Sequence, residues 1–128
     1  MARPKSSSLT SAELRLMDVL WLNGPSSVAE VAEALPPETG LAYSTVLTTL
    51  RILEDKGYLK HEKQGRAFIY SAAVERETAQ RSALTQLLTR FFGGKPELLV
   101  QNLLDNEELS EAEIHRLREL IAKQEGRP

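Results

Sequence analysis

The fold is decided by residues 42–70, which read AYSTVLTTLRILEDKGYLKHEKQGRAFIY. The first half of this stretch predicts a helix over residues 42–56, because apolar side chains recur at positions i, i+4 and i+7 and a glycine follows. These apolar side chains are Val46, Leu50 and Leu53. The second half predicts a β-hairpin over residues 58–70, with its turn at Gln64-Gly65.

Two further helices are predicted before this stretch. Each begins with a capping box, in which a Ser or Thr is followed three residues later by a Glu. The boxes are Thr10 with Glu13 and Ser27 with Glu30, and glycine or proline residues end both helices. Three helices followed by a hairpin, all within about 60 residues, is the order of a winged helix-turn-helix domain.

Residues 73–128 predict three more helices, the last of which begins with a third capping box, Ser110 with Glu113. These helices carry too many apolar residues to pack only against one another. They either fold back on the first three helices to complete a monomer or interdigitate with a second chain. We favour the second alternative, an isologous homodimer, because the winged unit already has a core of its own. The candidate dimerisation residues are Leu84, Leu87, Leu88, Phe91, Leu99, Leu103, Ile114, Leu117, Leu120 and Ile121.

The expected fold is therefore mainly α with a small β-hairpin wing. It consists of a flexible basic arm at residues 1–8, a winged-helix DNA-binding domain at residues 9–72 and a helical dimerisation domain at residues 73–128. Residues 1–72 carry eight basic and eight acidic side chains, whereas residues 73–128 carry eight and ten. The net charge of −2 thus belongs to the C-terminal part.

Composition excludes several classes of protein. The 128 residues contain no cysteine, which removes disulfide scaffolds, thiolate metal sites and cysteine nucleophiles. Neither of the two histidines, His61 and His115, belongs to a metal-ligand pattern such as H-E-x-x-H, and no phosphate-binding glycine loop is present. We therefore expect no enzyme, no cofactor and no metal. No apolar run approaches the roughly 20 residues that span a bilayer, and no signal peptide is recognisable, so we expect a cytoplasmic protein.

The charges near the predicted third helix and hairpin favour nucleic acid as the partner. Within residues 41–53 the only charge is Arg51, and residues 56–66 carry four Lys or Arg and one His against a single acid. A helix that enters a DNA major groove, about 12 Å wide, needs short polar side chains on its outer face. The alternative is that this polar helix is merely solvated.

Individual residues have distinct expected contacts. The hydroxyls of the third helix, Thr49 among them, can bond phosphates or base edges, and Arg51 can reach a phosphate or a guanine. Leu47, predicted to be exposed, can meet a thymine methyl, while the basic residues of the hairpin can follow the DNA backbone. The candidate DNA-binding residues are Tyr43, Ser44, Thr45, Leu47, Thr48, Arg51, Lys60, Lys63 and Arg66.

The chain resembles the penicillinase and methicillin-resistance repressors, the BlaI/MecI/CopY group of bacterial winged-helix regulators. The order and spacing of several motifs carry the resemblance, rather than any one of them. These motifs are residues 9–14 with Met17 and Leu20-Trp21, residues 43–57, Gly65-Arg66 with Tyr70, residues 91–94 with 98–100, and residues 106–110.

The resemblance implies a homodimeric repressor that binds a palindromic operator through its winged helices. It implies that Ser44, Thr45, Leu47, Thr48 and Arg51 lie on the DNA-reading helix and that Lys63 and Arg66 lie on the wing. Members controlled by a membrane sensor-protease are cleaved in the dimerisation region, often at an Asn–Phe bond. The matching bond here is Asn102–Leu103.

Besides the leucine at this bond, the chain departs from the family pattern at two further features. Copper-responsive members bind metal through C-terminal cysteines, which are absent here. Ile52 stands where many members have arginine. Two other functions stay open at this stage: a winged-helix module that binds protein rather than DNA, and a regulator that responds to a small molecule.

Overall fold

The structure is a computed structural model that describes residues 8–106 and 109–126. The predicted basic arm lies outside the described residues, apart from Ser8. In chain order the elements are α1 (Ser11–Asn23), β1 (Ser26–Ser27), α2 (Val28–Ala34), a short 3-10 turn (Pro37–Thr39), α3 (Tyr43–Asp55), β2 (Leu59–Gln64), β3 (Ala67–Ala72), α4 (Arg76–Phe91), α5 (Pro96–Asp105) and α6 (Glu111–Glu125). The chain forms two compact units, one ending at Gln86 and the other starting at Leu87. The domain boundary at residues 72 and 73 stays a prediction.

Three helices begin at capping boxes, as predicted. At α1 the Thr10 Oγ1 accepts a hydrogen bond from the Glu13 N–H (3.1 Å), and a Glu13 carboxylate oxygen accepts one from the Thr10 N–H (2.9 Å). Each box satisfies backbone donors that the first helical turn leaves without a partner. The equivalent boxes join Ser27 to Glu30 at α2 and Ser110 to Glu113 at α6.

The buried core, among the described residues, lies entirely in the first unit. It forms where α1, α2 and α3 pack against one another and against the small sheet. Its largest fully buried side chains are Tyr58, Tyr70, Leu16, Met17, Leu20, Leu50, Leu53, Val31 and Val46. Burying this many large side chains removes enough apolar surface from water to hold the first unit together without α5 or α6.

The sheet is antiparallel, with strand order β1-β3-β2. The prediction of a hairpin is confirmed, but its turn lies one residue later than predicted. Gln64 pairs with Ala67, so that the turn is Gly65–Arg66, and Gly65 takes a φ of 61° that glycine adopts without steric cost. The two-residue strand β1, which no sequence pattern indicated, adds a third strand beside β3.

The start of α4 is attached to α1 through Trp21. The indole Nε1 of Trp21 donates a hydrogen bond to the carbonyl of Val74 (2.9 Å), and the Arg76 guanidinium lies 5.3 Å from the centre of the indole ring. Val74 and Ala79 are buried against the core. The first turn of α4 is thus part of the first unit.

The second unit has no buried residue among those described, 87–106 and 109–126. Its helices α5 and α6 carry apolar side chains that are only partly covered or exposed. Across the same described parts of the chain, no helix combines the length and the apolar character needed to cross a membrane.

A largely buried ion pair joins α1 to the end of α3. The Lys56 Nζ lies 2.8 Å from Glu13 Oε1, the oxygen that also closes the α1 capping box, and Lys56 donates a longer hydrogen bond to the carbonyl of Ser8. Burial alone would raise the pKa of Glu13, but the hydrogen bonds from Lys56 and Thr10 and the charge of Lys56 outweigh it and lower the pKa. The pair therefore favours the folded state while Glu13 is ionised.

We expect Glu13→Gln to reduce the free energy of unfolding by about 1 to 2 kcal/mol near neutral pH. Glutamine can still close the capping box but cannot pair its charge with Lys56. Since the folded-state pKa of Glu13 lies below the ordinary value of 4.5, the ion pair's stabilisation is present above that value and is lost as the pH falls through the folded-state pKa. Chemical denaturation measured from about pH 7 to about pH 3 should show that the difference in free energy of unfolding between wild type and variant decreases as the pH falls.

Glu30→Gln is the matched control, because Glu30 closes the same kind of capping box at the surface of α2. We expect this variant to change stability by less than about 0.5 kcal/mol. Equal losses in the two variants would contradict a contribution from the Glu13–Lys56 pair.

Candidate nucleic-acid interface

One fully buried stripe of α3 determines which side of this helix faces outward. Val46, Leu50 and Leu53 are each completely buried, as their spacing predicted. With about 3.6 residues per turn, the residues half a turn away must point to solvent. Those residues are Ser44, Thr48, Arg51 and Asp55, and all four are exposed.

The N-terminal turns of α3 carry short polar side chains outward. Ser44, Thr45 and Thr48 are exposed, Tyr43 is 56% exposed, and the first turn contains no acidic residue. Hydroxyl groups can donate to phosphates and base edges and accept from them. The structure thus leaves four of the predicted residues accessible at the N-terminal turns of α3, and these residues with Arg51 we call the outward face of α3.

Two residues of α3 are placed differently from the prediction. Leu47 is partly buried and packs against the core, so the prediction that it is exposed is wrong. It lies on the same side of the helix as Glu54, the side that faces the hairpin. Thr49 is buried and its Oγ1 donates to the carbonyl of Thr45 at 2.7 Å, so it is not available to DNA.

The outward face is free of acids only along its first three turns. Asp55 is exposed and lies on the same side of α3 as Ser44, eleven residues earlier. A carboxylate at this end repels a phosphate backbone. Nucleic acid is therefore expected to contact the N-terminal and middle turns of α3 rather than its last turn.

Arg51 is exposed and is also held beside the hairpin. Its guanidinium interacts with the phenol of Tyr70, a residue of β3 that is almost completely buried. Burial raises the pKa of the Tyr70 phenol, the Glu54 carboxylate raises it further, and Arg51 offsets part of the rise. The neutral phenol leaves the positive charge of Arg51 available to an anion outside.

The predicted basic residues of the hairpin do not share one side. Side chains alternate along a strand, and the register places Lys60 opposite Ser71 but Lys63 opposite Phe68. Lys63 is on the face of the hairpin that carries His61, which contacts α3, and Arg66 is in the turn. Lys60 instead lines a shallow concave surface with Trp21 and Val74. The structure thus separates Lys60 from Lys63.

The sequence did not predict the contact between Glu54 of α3 and His61 of the hairpin. The Nδ1 of His61 lies 2.8 Å and 2.7 Å from the two carboxylate oxygens of Glu54. No local pattern indicates this contact, because the two residues lie on different elements. The described residues contain no cluster of three or more His, Asp or Glu side chains suited to a metal ion.

The predicted dimerisation residues are all accessible in the single chain. Six of the ten are more than a third exposed, and the other four are partly covered. Phe91 is 69% exposed, and Leu120 and Ile121 are 58% and 59% exposed. The exposed set is Leu84, Leu87, Phe91, Leu117, Leu120 and Ile121, and the partly covered set is Leu88, Leu99, Leu103 and Ile114.

The Asn102–Leu103 bond lies inside α5. Asn102 is exposed, and its carbonyl and side-chain oxygens accept hydrogen bonds from Asn106 at the end of the helix. Leu103 is partly buried. The helical conformation must open locally before a protease can bind this bond as an extended strand.

Known proteins resemble this chain over nearly its whole length. A sequence model of the penicillinase repressor family matches residues 9–123. The penicillinase repressor of Bacillus licheniformis is 30% identical over 123 residues, which cover 96% of each chain. The methicillin resistance regulatory protein MecI of Staphylococcus aureus strain N315 is 25% identical over 119 residues, which cover 93% of this chain and 97% of MecI.

A solved structure resembles the chain as well. The DNA binding domain of the repressor BlaI, determined in solution, is 30% identical and superimposes with a TM-score of 0.53, covering 59% of this chain and 93% of that domain. Together with the three helices and the small sheet, this similarity confirms the predicted winged-helix class, and the family resemblance drawn from the motifs is confirmed.

The opposite orientations of Lys60 and Lys63 give a prediction about duplex DNA. We expect Lys63→Ala and Arg66→Ala to weaken binding about equally for all sequences and each to reduce the slope of log affinity against log salt by about 1, because each removes a phosphate contact. Lys60→Ala removes the same charge from the other side of the hairpin and should leave the slope unchanged. Salt titrations of binding by fluorescence anisotropy measure this, and an equal loss in Lys60→Ala would contradict the assignment.

Proposed function

The chain belongs to the penicillinase repressor family, and from this membership we propose that it is a transcriptional repressor that binds operator DNA as a homodimer. The observation that carries the proposal is the outward face of α3, where Ser44, Thr45 and Thr48 are exposed on a helix whose opposite side is fixed by the core. A rigid helix with short polar side chains and no acid in its first turns suits a DNA major groove.

The hairpin supplies the second part of the proposed DNA contact. Lys63 and Arg66 carry positive charge at the end of the hairpin nearest its turn, and both are exposed. Contacts of this kind position a protein on the phosphate backbone without reading sequence. Sequence preference is then expected to come from α3 and affinity from both elements.

The proposed homodimer is supported by the apolar side chains of the C-terminal helices. No described residue of α5 or α6 is buried, yet these helices expose several leucines together with Val100 and Ile121. Fully burying one such side chain is worth about 1.5 to 3 kcal/mol, and large exposed apolar patches mark interaction sites. A second copy provides the same apolar surface, and two-fold symmetry then requires an operator with two inverted half-sites.

We also propose that a membrane sensor-protease relieves repression by cutting the Asn102–Leu103 bond. The exposure of Asn102 and the shortness of α5 support this proposal, because a short helix without a buried residue opens at low cost. A cut at this bond would separate α6 from the rest of the chain and remove part of the proposed dimer surface. The weaker dimer would then release the operator.

In vitro selection from random duplexes tests the function and the dimer together. We expect the wild type to enrich two inverted half-sites about one helical turn, or a small multiple of it, apart. Leu117→Asp with Leu120→Asp should give monomers that enrich one half-site and bind more weakly, because each aspartate places a charge in the apolar interface. Sedimentation of both proteins gives their masses.

His115→Asp with Ala122→Asp is the matched control for the selection, since it adds two aspartates to the opposite side of α6. This variant should stay dimeric and enrich the wild-type sites. An unchanged dimer in the Leu117 and Leu120 variant would show that the interface lies elsewhere. Absence of any enriched sequence would favour a protein-interaction module, and stabilisation by a small molecule in a thermal-shift screen would favour a ligand-responsive regulator.

Co-expression with a sensor-protease of this family tests the cleavage proposal. We expect mass spectrometry to find a fragment that ends at Asn102 after induction, and Leu103→Phe, which restores the bond frequent in the family, to be cut at least as fast. Leu103→Asp should resist cutting, because an acid replaces the apolar residue on the leaving side. Relief of repression with the chain intact would contradict the proposal.

A further inference from the structure

The contact between Glu54 and His61 joins the two elements of the proposed DNA interface. Glu54 is in the last turn of α3, and His61 is in β2. Both carboxylate oxygens lie within hydrogen-bond distance of the same ring nitrogen, at 2.8 Å and 2.7 Å. The two side chains are about a third exposed, at 31% and 34%, so solvent protons reach them.

The ring of His61 also lies close to two aromatic rings of the neighbouring strand β3. Its centroid lies 4.7 Å from that of Phe68 and 5.4 Å from that of Tyr70, both on β3. The charged and titratable groups around it are Glu54 and Arg51 on α3, Tyr70 on β3, and Lys63 on its own face of β2. Glu54 is the acid in direct contact, and a positive charge on His61 is therefore best compensated by Glu54.

We propose that Glu54 and His61 are positioning residues of the DNA interface, and that protonation of His61 strengthens operator binding by locking the hairpin to α3 and neutralising Glu54. This inference rests on the proposed DNA-binding function. Neither residue is required to touch DNA itself. Glu54 holds the hairpin through His61, and the hairpin carries Lys63 and Arg66.

The direction of the effect follows from the charges. Neutral His61 can donate from Nδ1 to Glu54 in only one tautomer, and the negative charge of Glu54 then stays uncompensated beside the hairpin, where it weakens the attraction of Lys63 and Arg66 for an anion. Protonated His61 donates from the same nitrogen as a charged group, which makes the hydrogen bond stronger, and the pair becomes neutral overall. DNA binding and protonation of His61 therefore favour each other.

The two histidines of the chain allow a direct test. Histidine is the side chain that ordinarily changes its charge between about pH 5 and pH 8, and the second histidine, His115, is on α6 beside Glu119. Operator affinity is measured by fluorescence anisotropy at constant ionic strength, from about pH 8 to about pH 6. The duplex is the one enriched by selection, and the proteins are wild type, His61→Gln, Glu54→Gln and His115→Gln.

We expect wild type and His115→Gln to bind about three- to fivefold more tightly at the lower pH, the scale of a partly exposed ion pair. His61→Gln should lose this pH dependence. Glu54→Gln should lose it too while binding at least as tightly as wild type at the higher pH, because the uncompensated negative charge beside the hairpin is gone. A merely structural contact would instead lower affinity in Glu54→Gln at every pH.

Three results would overturn the proposal. One is a wild-type pH dependence retained in His61→Gln, and another is its loss in His115→Gln. The third is binding of the enriched duplex by the wild type with the same affinity at every pH. This third result would leave the proposed DNA-binding function intact. Failure of the wild type to bind any duplex at any pH overturns the proposed function as well, so that the two failures are distinguishable.

Discussion

The complete burial of Val46, Leu50 and Leu53 is the constraint on which the rest of the interface depends. These three side chains occupy one side of α3, and a helix cannot rotate about its axis without pulling them out of the core at a cost of several kcal/mol. Their burial therefore sets the direction of every other side chain of α3. The exposed hydroxyls, the partly covered Leu47 and the contact of Glu54 with the hairpin all follow from this single orientation.

Local sequence patterns predicted the helices and the hairpin, but not the short strand β1 or every contact between the elements. The three capping boxes and the apolar spacing of α3 act within a single turn or helix, and each appears in the structure as predicted. The strand β1 is only two residues long and exists because β3 has a free edge beside it, which no local pattern records. The shift of the hairpin turn by one residue likewise depends on the pairing of Gln64 with Ala67.

The same limit applies to the candidate site. The polar face at Ser44, Thr45 and Thr48 was predictable because it needs only the helical period. The separation of Lys60 from Lys63 needs the strand register, and the contact between Glu54 and His61 needs the packing of two elements. The contacts within the proposed dimer involve a second copy of the chain, so the sequence could indicate only which apolar residues lack cover in one copy.

The exposed side chains at the start of α3 have a consequence for how such repressors diverge. Ser44, Thr45 and Thr48 are exposed, and substitution of exposed residues usually changes stability by no more than about 0.5 kcal/mol. Core residues and the proposed DNA-reading residues thus alternate along one helix but are constrained separately. A duplicated gene can accumulate changes at the reading positions and acquire a new operator while it keeps the same scaffold, and the same property makes α3 a suitable segment for engineering repressors that do not cross-react.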